Sequence, residues 1–175
     1  MLKKYFDDDK YEELKASDNL FYKALEIVTT LFEHDVDKGG MPYMFHLEYV
    51  YRHVSSVDEK IIALMHDVIE DKDVSGEDLL EIGFPVSIVE AIVSLTRVRP
   101  MEYKDYIDKL IQEGSVEALH VKLADLENNM DISRIKNPKM KDYERIEKRY
   151  RPAHEKILNR LKEIENDRYK VNKRK

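Results

Sequence analysis

The chain has 175 residues, 42% of them hydrophobic and 38% charged, with a formal net charge of −6 and no cysteine. That length and balance fit one globular domain with a sizeable core and exclude a disordered chain. The missing thiols exclude disulfides, thiolate metal sites and cysteine nucleophiles, and the net negative charge argues against a nucleic-acid backbone as partner. No apolar run is long enough to span a bilayer and the N-terminus has no signal-peptide core, so the expected address is cytoplasmic, away from any membrane. Five glycines and five prolines, set against regular runs of Glu, Lys, Leu and Ile, favour an all-α, single-domain helical bundle.

Residues 1–17 read as a charged N-terminal segment in which Asp7, Asp8 and Asp9 form a solvated turn or frayed end. The folded domain is expected over 18–166. Leu20, Ala24, Ile27, Val28 and Leu31 follow helical spacing after a cap at Ser17 or Asp18. Gly39, Gly40 and Pro42 break that helix, and a second runs from about Tyr43 to Val54. Ser56 and Glu59 make a capping box for a third helix, apolar nearly all round through Val68 and therefore central. Ser75 caps a short helix ended by Gly83, and Pro85 opens the next. An amphipathic helix spans Tyr103 to Glu113 and stops at Gly114, and Ser115 caps another through about Met130. After Pro138 comes a long charged helix kinked at Pro152, with 167–175 as a frayed basic tail.

Three segments place acidic and imidazole groups in apolar surroundings, where such groups are paired or metal-bound. His46 follows Met44 and Phe45; His66 and Asp67 close an apolar run, with Glu70 and Asp71 one turn further on; Asp125 lies among Val121 and Leu123. On a helix residues four apart share a face, so Glu70 sits over His66 and Asp71 over Asp67. Two histidines and two aspartates from three helices make a nitrogen–oxygen site suited to Mn, Fe or Zn. Taken singly, each group has a plainer reading. His46 is then a packed histidine, Asp125 a partner for Lys122 or Arg134, and 70–73 a charged helix end.

Read in order, the segments resemble the HD-domain phosphohydrolases, in particular small stand-alone relatives of the RelA/SpoT (p)ppGpp hydrolase domain. The matching stretches run from Asp35 through Lys38, Gly39, Pro42 and Tyr43 to His46, then from Ala63 to Asp71. They continue at Gly83-Phe84-Pro85, Leu95-Thr96-Arg97, Tyr103-Lys104-Asp105-Tyr106, and Val121 to Met130, covering roughly residues 20 to 135. The resemblance implies an all-α bundle of the HD-domain type in which His46, His66, Asp67 and Asp125 ligate a divalent metal, commonly manganese. It implies Glu70 and Asp71 as the catalytic acids that handle the attacking water, Lys38 facing substrate phosphates and Asn129 contacting the nucleoside. The implied partner is a small phosphorylated nucleotide. The implied activity removes the 3′-pyrophosphate of guanosine tetra- or pentaphosphate, leaving GDP or GTP.

Three departures accompany it. Leu47 follows His46 where the family has proline, Asp37 stands where an arginine precedes the loop lysine, and Leu126-Glu127-Asn128-Asn129-Met130 replaces Arg-Leu-His-Asn-Met. The alternatives are an HD phosphohydrolase for another nucleotide or a phosphorylated cofactor such as NADPH, and a metal- or nucleotide-binding module without turnover. Arg97 and Arg99 are the remaining phosphate-clamp candidates. Tyr103 and Tyr106 read as core or pocket border, and His53 as core or second-layer. His34 reads as surface or second-layer, while spacing identifies no partner for His120 or His154.

Overall fold

The computed structural model describes residues 1–173. Among them the regular structure is helical, with one isolated antiparallel bridge between Val36 and Pro42. A 3-10 turn, Leu2–Tyr5, leads into α1 (Asp8–Ala16), and Asp7 accepts from the Lys10 backbone N–H at 2.8 Å as its N-cap. The three aspartates are thus a helix start, not a frayed end: Asp7 satisfies an orphan N–H, and Asp8 and Asp9 put negative charge against the positive helix terminus. Leu2, Tyr11 and Leu14 are buried, which packs this segment onto the bundle.

α2 (Leu20–Leu31) is capped by Asn19, one residue past the expected cap, and buries Ala24, Ile27, Val28 and Leu31. α3 (Met44–Arg52) is shorter at both ends than its hydrophobic pattern suggests. α4 (Val57–Met65) starts at the expected capping box, with Ser56 and Glu59 satisfying each other's backbone N–H, and every residue from Ile61 to Met65 is buried. The helix then breaks. His66 and Asp67 form a turn, and α5 (Val68–Asp71) is a single turn beyond it. The expected continuous helix, with Glu70 stacked on His66 and Asp71 on Asp67, is therefore corrected. The break lets both ligand-type side chains point the same way, which adjacent residues on an unbroken helix do not.

α6 (Gly76–Glu81) ends at Gly83, whose φ of +96° requires glycine. α7 (Val86–Leu95) follows Pro85, and α8 (Tyr103–Glu113) and α9 (Val116–Met130) match their expected spans, the latter capped by Ser115 at 3.1 Å. After α10 (Met140–Arg145) comes a π turn at Ile146–Tyr150, closed by a bond from Arg151 N–H to the Ile146 carbonyl. Pro152 then sits in the first turn of α11 (Arg151–Asn172). Disruption near Pro152 was expected, but it takes the form of a widened turn just before the ring, where the missing proline N–H breaks the four-residue register. α11 continues through Asn172, so 167–172 are helical and not frayed, while 174–175 lie outside the described residues.

α4 is the central helix, packed by α2, α3, α7 and α9, and α9 in turn lies against α3, α7 and α11. The three helices α3, α4 and α9 meet pairwise, and their junction carries the candidate site. Among the described residues no helix is long and apolar enough to cross a membrane.

Candidate metal centre

His46 on α3, His66 in the turn after α4 and Asp125 on α9 are buried, and one ligand atom of each lies within 4.8 Å of the others. The two imidazole Nε2 atoms are 3.3 Å apart, and Asp125 Oδ1 is 3.4 Å from that of His46 and 3.8 Å from that of His66. Asp67 Oδ2 adds a fourth donor, 2.9 Å from His66 Nε2 and 3.5 Å from His46 Nε2. All four sequence-derived metal candidates thus converge.

The outer faces of the imidazoles are already occupied. His46 Nδ1 lies 2.7 Å from Asn128 Oδ1 and His66 Nδ1 lies 2.7 Å from the Ala63 carbonyl. Both partners are acceptors, so each Nδ1 carries the proton and each Nε2 turns a lone pair inward. Facing lone pairs 3.3 Å apart beside two carboxylates need a cation or a proton between them. A buried His66–Asp125–His46 group with Asp67 at its edge is a donor set a divalent cation fits, and its mixture of imidazole and carboxylate suits Mn, Fe or Zn.

Without a cation, protons meet that need. Burial disfavours a charged His66, but the Asp67 and Asp125 carboxylates outweigh it and push the imidazole up to about 10. Burial raises Asp67 and Asp125 too, and is outweighed by His66 for the first and by Lys122 and then His66 for the second, so both stay below the usual carboxylate range. Lys122 donates to Asp125 Oδ2 at 2.8 Å and is held well above the usual range by that carboxylate despite burial. The plain reading of Asp125 as Lys122's partner and the ligand reading therefore coexist, one carboxylate oxygen serving each. Asn129 Nδ2 donates to Asp125 Oδ1 at 2.5 Å, fixing it further. Tyr43 donates its phenol to Asp67 Oδ2 at 2.5 Å, and burial followed by the Asp67 charge holds that phenol protonated.

The centre opens into a cleft of about 500 Å³. Glu70 and Asp71 line it from α5; Glu70 Oε2 accepts from the Arg97 backbone N–H at 3.0 Å, and burial followed by Asp67 and Glu70 raises the Asp71 carboxyl. Lys38 lies across the cleft with its ammonium 3.1 Å from the Tyr150 hydroxyl, and the Arg97 guanidinium stands 5.9 Å from the Tyr103 ring centroid. Tyr103 and Tyr106 both border the cleft. Arg99 does not, because it sits in the exposed turn beyond Arg97. The remaining histidines are elsewhere: His34 is exposed, His53 meets the Tyr49 carbonyl at 2.7 Å, and His120 and His154 pair with Glu59 and Glu127.

Sequence reasoning missed Tyr43, Asn128, Arg134, Arg145, Arg149 and Tyr150, all of which line the cleft. Tyr43 and Asn128 carried a signal, being three residues from His46 and Asp125 on their helices. The others come from 132–150, beyond the reach of local spacing.

The fold and the buried histidine–aspartate centre define a helical-bundle protein whose buried donor set could hold a divalent cation and opens into a polar cleft. Among solved structures the chain shares its fold with one described as "A metazoan ortholog of SpoT hydrolyzes ppGpp and plays a role in starvation responses". The TM-score is 0.61 over 87% of this chain and 97% of that chain, at 20% sequence identity. Neither a family model nor a curated protein sequence matches the chain.

Proposed function

We propose that this chain is a divalent-metal-dependent phosphohydrolase that cleaves a (p)ppGpp-type nucleotide at its 3′-pyrophosphate, giving GDP or GTP and pyrophosphate. The observation that carries the reading is the inward-facing His46, His66 and Asp125 cluster sharing one cleft with the carboxylates of Glu70 and Asp71. The structural neighbour, a metazoan ortholog of SpoT that hydrolyzes ppGpp, supports the substrate class. His46, His66, Asp67 and Asp125 hold the cation, with manganese favoured and iron or zinc as the other candidates. When bound there, it supplies the positive charge that acidifies a water and neutralises a phosphoryl oxygen.

The chain's own residues do the rest. Glu70, held at Oε2 by the Arg97 N–H, aligns the attacking water with its other oxygen, and Asp71 accepts the proton, for which its raised carboxyl is suited. The new bond joins water oxygen to phosphorus, the bond to the ribose 3′-oxygen breaks, and that oxygen takes up a proton as the 3′-hydroxyl. Lys38 and Arg97 neutralise phosphate charge, and Asn129, whose Nδ2 is engaged by Asp125, turns its carbonyl oxygen to the nucleoside.

One observation favours a second reading with a different substrate. The loop position that precedes Lys38 is Asp37, an anion already paired with Arg134, so the loop offers a substrate one cation fewer than the resemblance implies. That would suit another nucleotide or a phosphorylated cofactor. A panel of guanosine tetraphosphate, nucleoside monophosphates and NADPH, assayed with added Mn²⁺, separates the readings. Pyrophosphate release from guanosine tetraphosphate is expected. Cleavage of another member alone replaces the substrate, and metal-dependent binding with no turnover of any member makes the chain a binding module.

A further inference from the structure

Asp37 and Asn128, two of the positions at which the chain departs from the resembled family, are joined in space by one side chain. Arg134 ends the 3-10 turn Ile132–Arg134 and reaches back into the cleft. Its Nη2 pairs with Asp37 Oδ2. Its Nη1 donates to the Asn128 carbonyl at 2.9 Å and also to Asn128 Oδ1. That same Oδ1 is the atom 2.7 Å from His46 Nδ1. Asn128 is 3% exposed, so no bulk water competes for its amide.

We infer that Arg134 is a positioning residue that fixes the tautomer of His46 by locking the orientation of the Asn128 amide. An asparagine amide can present either its oxygen or its NH₂ to a histidine, and the two choices have opposite consequences. With Oδ1 toward His46, Nδ1 must carry the proton and Nε2 turns its lone pair to the centre. With the NH₂ there, Nδ1 accepts, Nε2 carries the proton and the metal-facing position is blocked. A guanidinium only donates, so it holds Oδ1 on the side shared with His46. Flipping the amide would set its NH₂ against the Arg134 donor whichever tautomer His46 adopts.

Asp37 in turn anchors Arg134. One Asp37 oxygen accepts from the Gly39 and Met41 backbone N–H groups at 2.8 and 3.0 Å, leaving the other for the guanidinium. A side chain at Gly39 would collide with the Arg134 carbonyl, so the loop and the 132–134 turn fit only in close contact. The loop that carries Lys38 and the ring of His46 are thereby tied through three side chains, Asp37, Arg134 and Asn128.

The inference rests on the metal-centre reading, and its test separates the two. Long-range ¹H–¹⁵N spectra of the metal-free protein at pH 9 read which His46 nitrogen is protonated, and equilibrium dialysis with Mn²⁺ alone reads affinity. The wild type should carry a single proton on Nδ1. Arg134→Met should add a population protonated on Nε2 and weaken Mn²⁺ binding by about 10- to 100-fold, the range for losing an outer partner of a metal-ligating histidine. Adding Asn128→Asp to Arg134→Met should return the proton to Nδ1, because a carboxylate there can only accept, while the link to Asp37 stays broken. A role confined to holding the loop predicts no such rescue. If Arg134→Met does not fold, Asp37→Asn, which keeps the arginine and removes its anchor, should shift the same proton to a smaller extent. Retention of the wild-type pattern in whichever variant folds, or a wild-type His46 carrying both protons or only Nε2–H, overturns the inference. A wild type that has the expected tautomer but takes up neither Mn²⁺ nor, in the same dialysis, Fe²⁺ or Zn²⁺ leaves Arg134's role standing and removes the metal reading.

Discussion

The two walls of the cleft hold their charges by opposite means. On the wall built by α3, α4, α9 and the 66–67 turn, the ionised groups are buried or half-buried and each is met by a partner. Asp125 has Lys122, Asn129 and the imidazoles, and Asp67 has Tyr43 and His66. On the wall built by the 37–41 loop, the segment after α7 and the π turn, the cations are partly exposed and rest on tyrosines, Lys38 on Tyr150 and Arg97 on Tyr103. Breaking a buried pair leaves an uncompensated charge and costs several kcal/mol, whereas an exposed cation against an aromatic face contributes about 0.5–1 kcal/mol. In that energetic sense the first wall is the rigid one, and the Lys38 and Arg97 side chains, unlike the Asp37–Arg134 pair beside them, make the second adaptable.

The largest expected effect comes from opening the rigid wall. Asp125→Ala should abolish stoichiometric metal binding, read by elemental analysis, and lower stability by about 3–5 kcal/mol in denaturant titration because Lys122, mostly shielded from solvent, is left unpaired. A variant with wild-type metal content and stability would erase the distinction between the walls. Next come the carboxylates between them. Glu70→Gln and Asp71→Asn should each cut turnover by about a hundredfold or more while metal content stays at the wild-type level. Loss of metal in either would move that residue into the rigid wall as a ligand.

Smaller effects belong to the adaptable wall. Lys38→Ala should raise KM by about tenfold, the lower end of the 1.5–3 kcal/mol of a charge-assisted contact because Lys38 is exposed, with little change in metal affinity or melting temperature. A large loss of stability would show that this wall is as tightly built as the other. The last expectation is a pH dependence that metal removes. In chelated protein His66, normally near 6.5, is pushed up to about 10, so its contribution to stability is complete below pH 6.5 and is lost as pH rises toward 10. The depressed Asp67 and Asp125 contribute above their ordinary value of 3.8 and lose that contribution as pH falls through their folded values. Chelated protein should therefore melt progressively lower above pH 6.5. Metal binding displaces the His66 proton and strengthens over the same range, so the gain in melting temperature on adding Mn²⁺ should grow with pH. Parallel pH profiles with and without metal would contradict proton–metal competition at His66.

Local chemistry wrote much of this protein directly into its sequence. The Ser56–Glu59 box, the Ser75 and Ser115 caps, Gly83 and the spacing of apolar residues set where α4, α6, α8 and α9 begin or end, because caps and periodicity act within one or two helical turns. His46, His66, Asp67 and Asp125 stood out for the same reason, as ionisable groups in apolar runs. Other features needed the tertiary structure. The break at His66–Asp67 interrupts a run whose pattern alone continues as helix, and the opening aspartates become a cap only because Leu2, Tyr11 and Leu14 have a core to enter. The outer partners of the ligands needed it most. Asn128 is chosen by the amide face it turns to His46, and Arg134 by a reach across 97 residues of sequence to Asp37. Hydrogen-bond direction and long-range proximity have no period along the chain, so only the packed fold decides them.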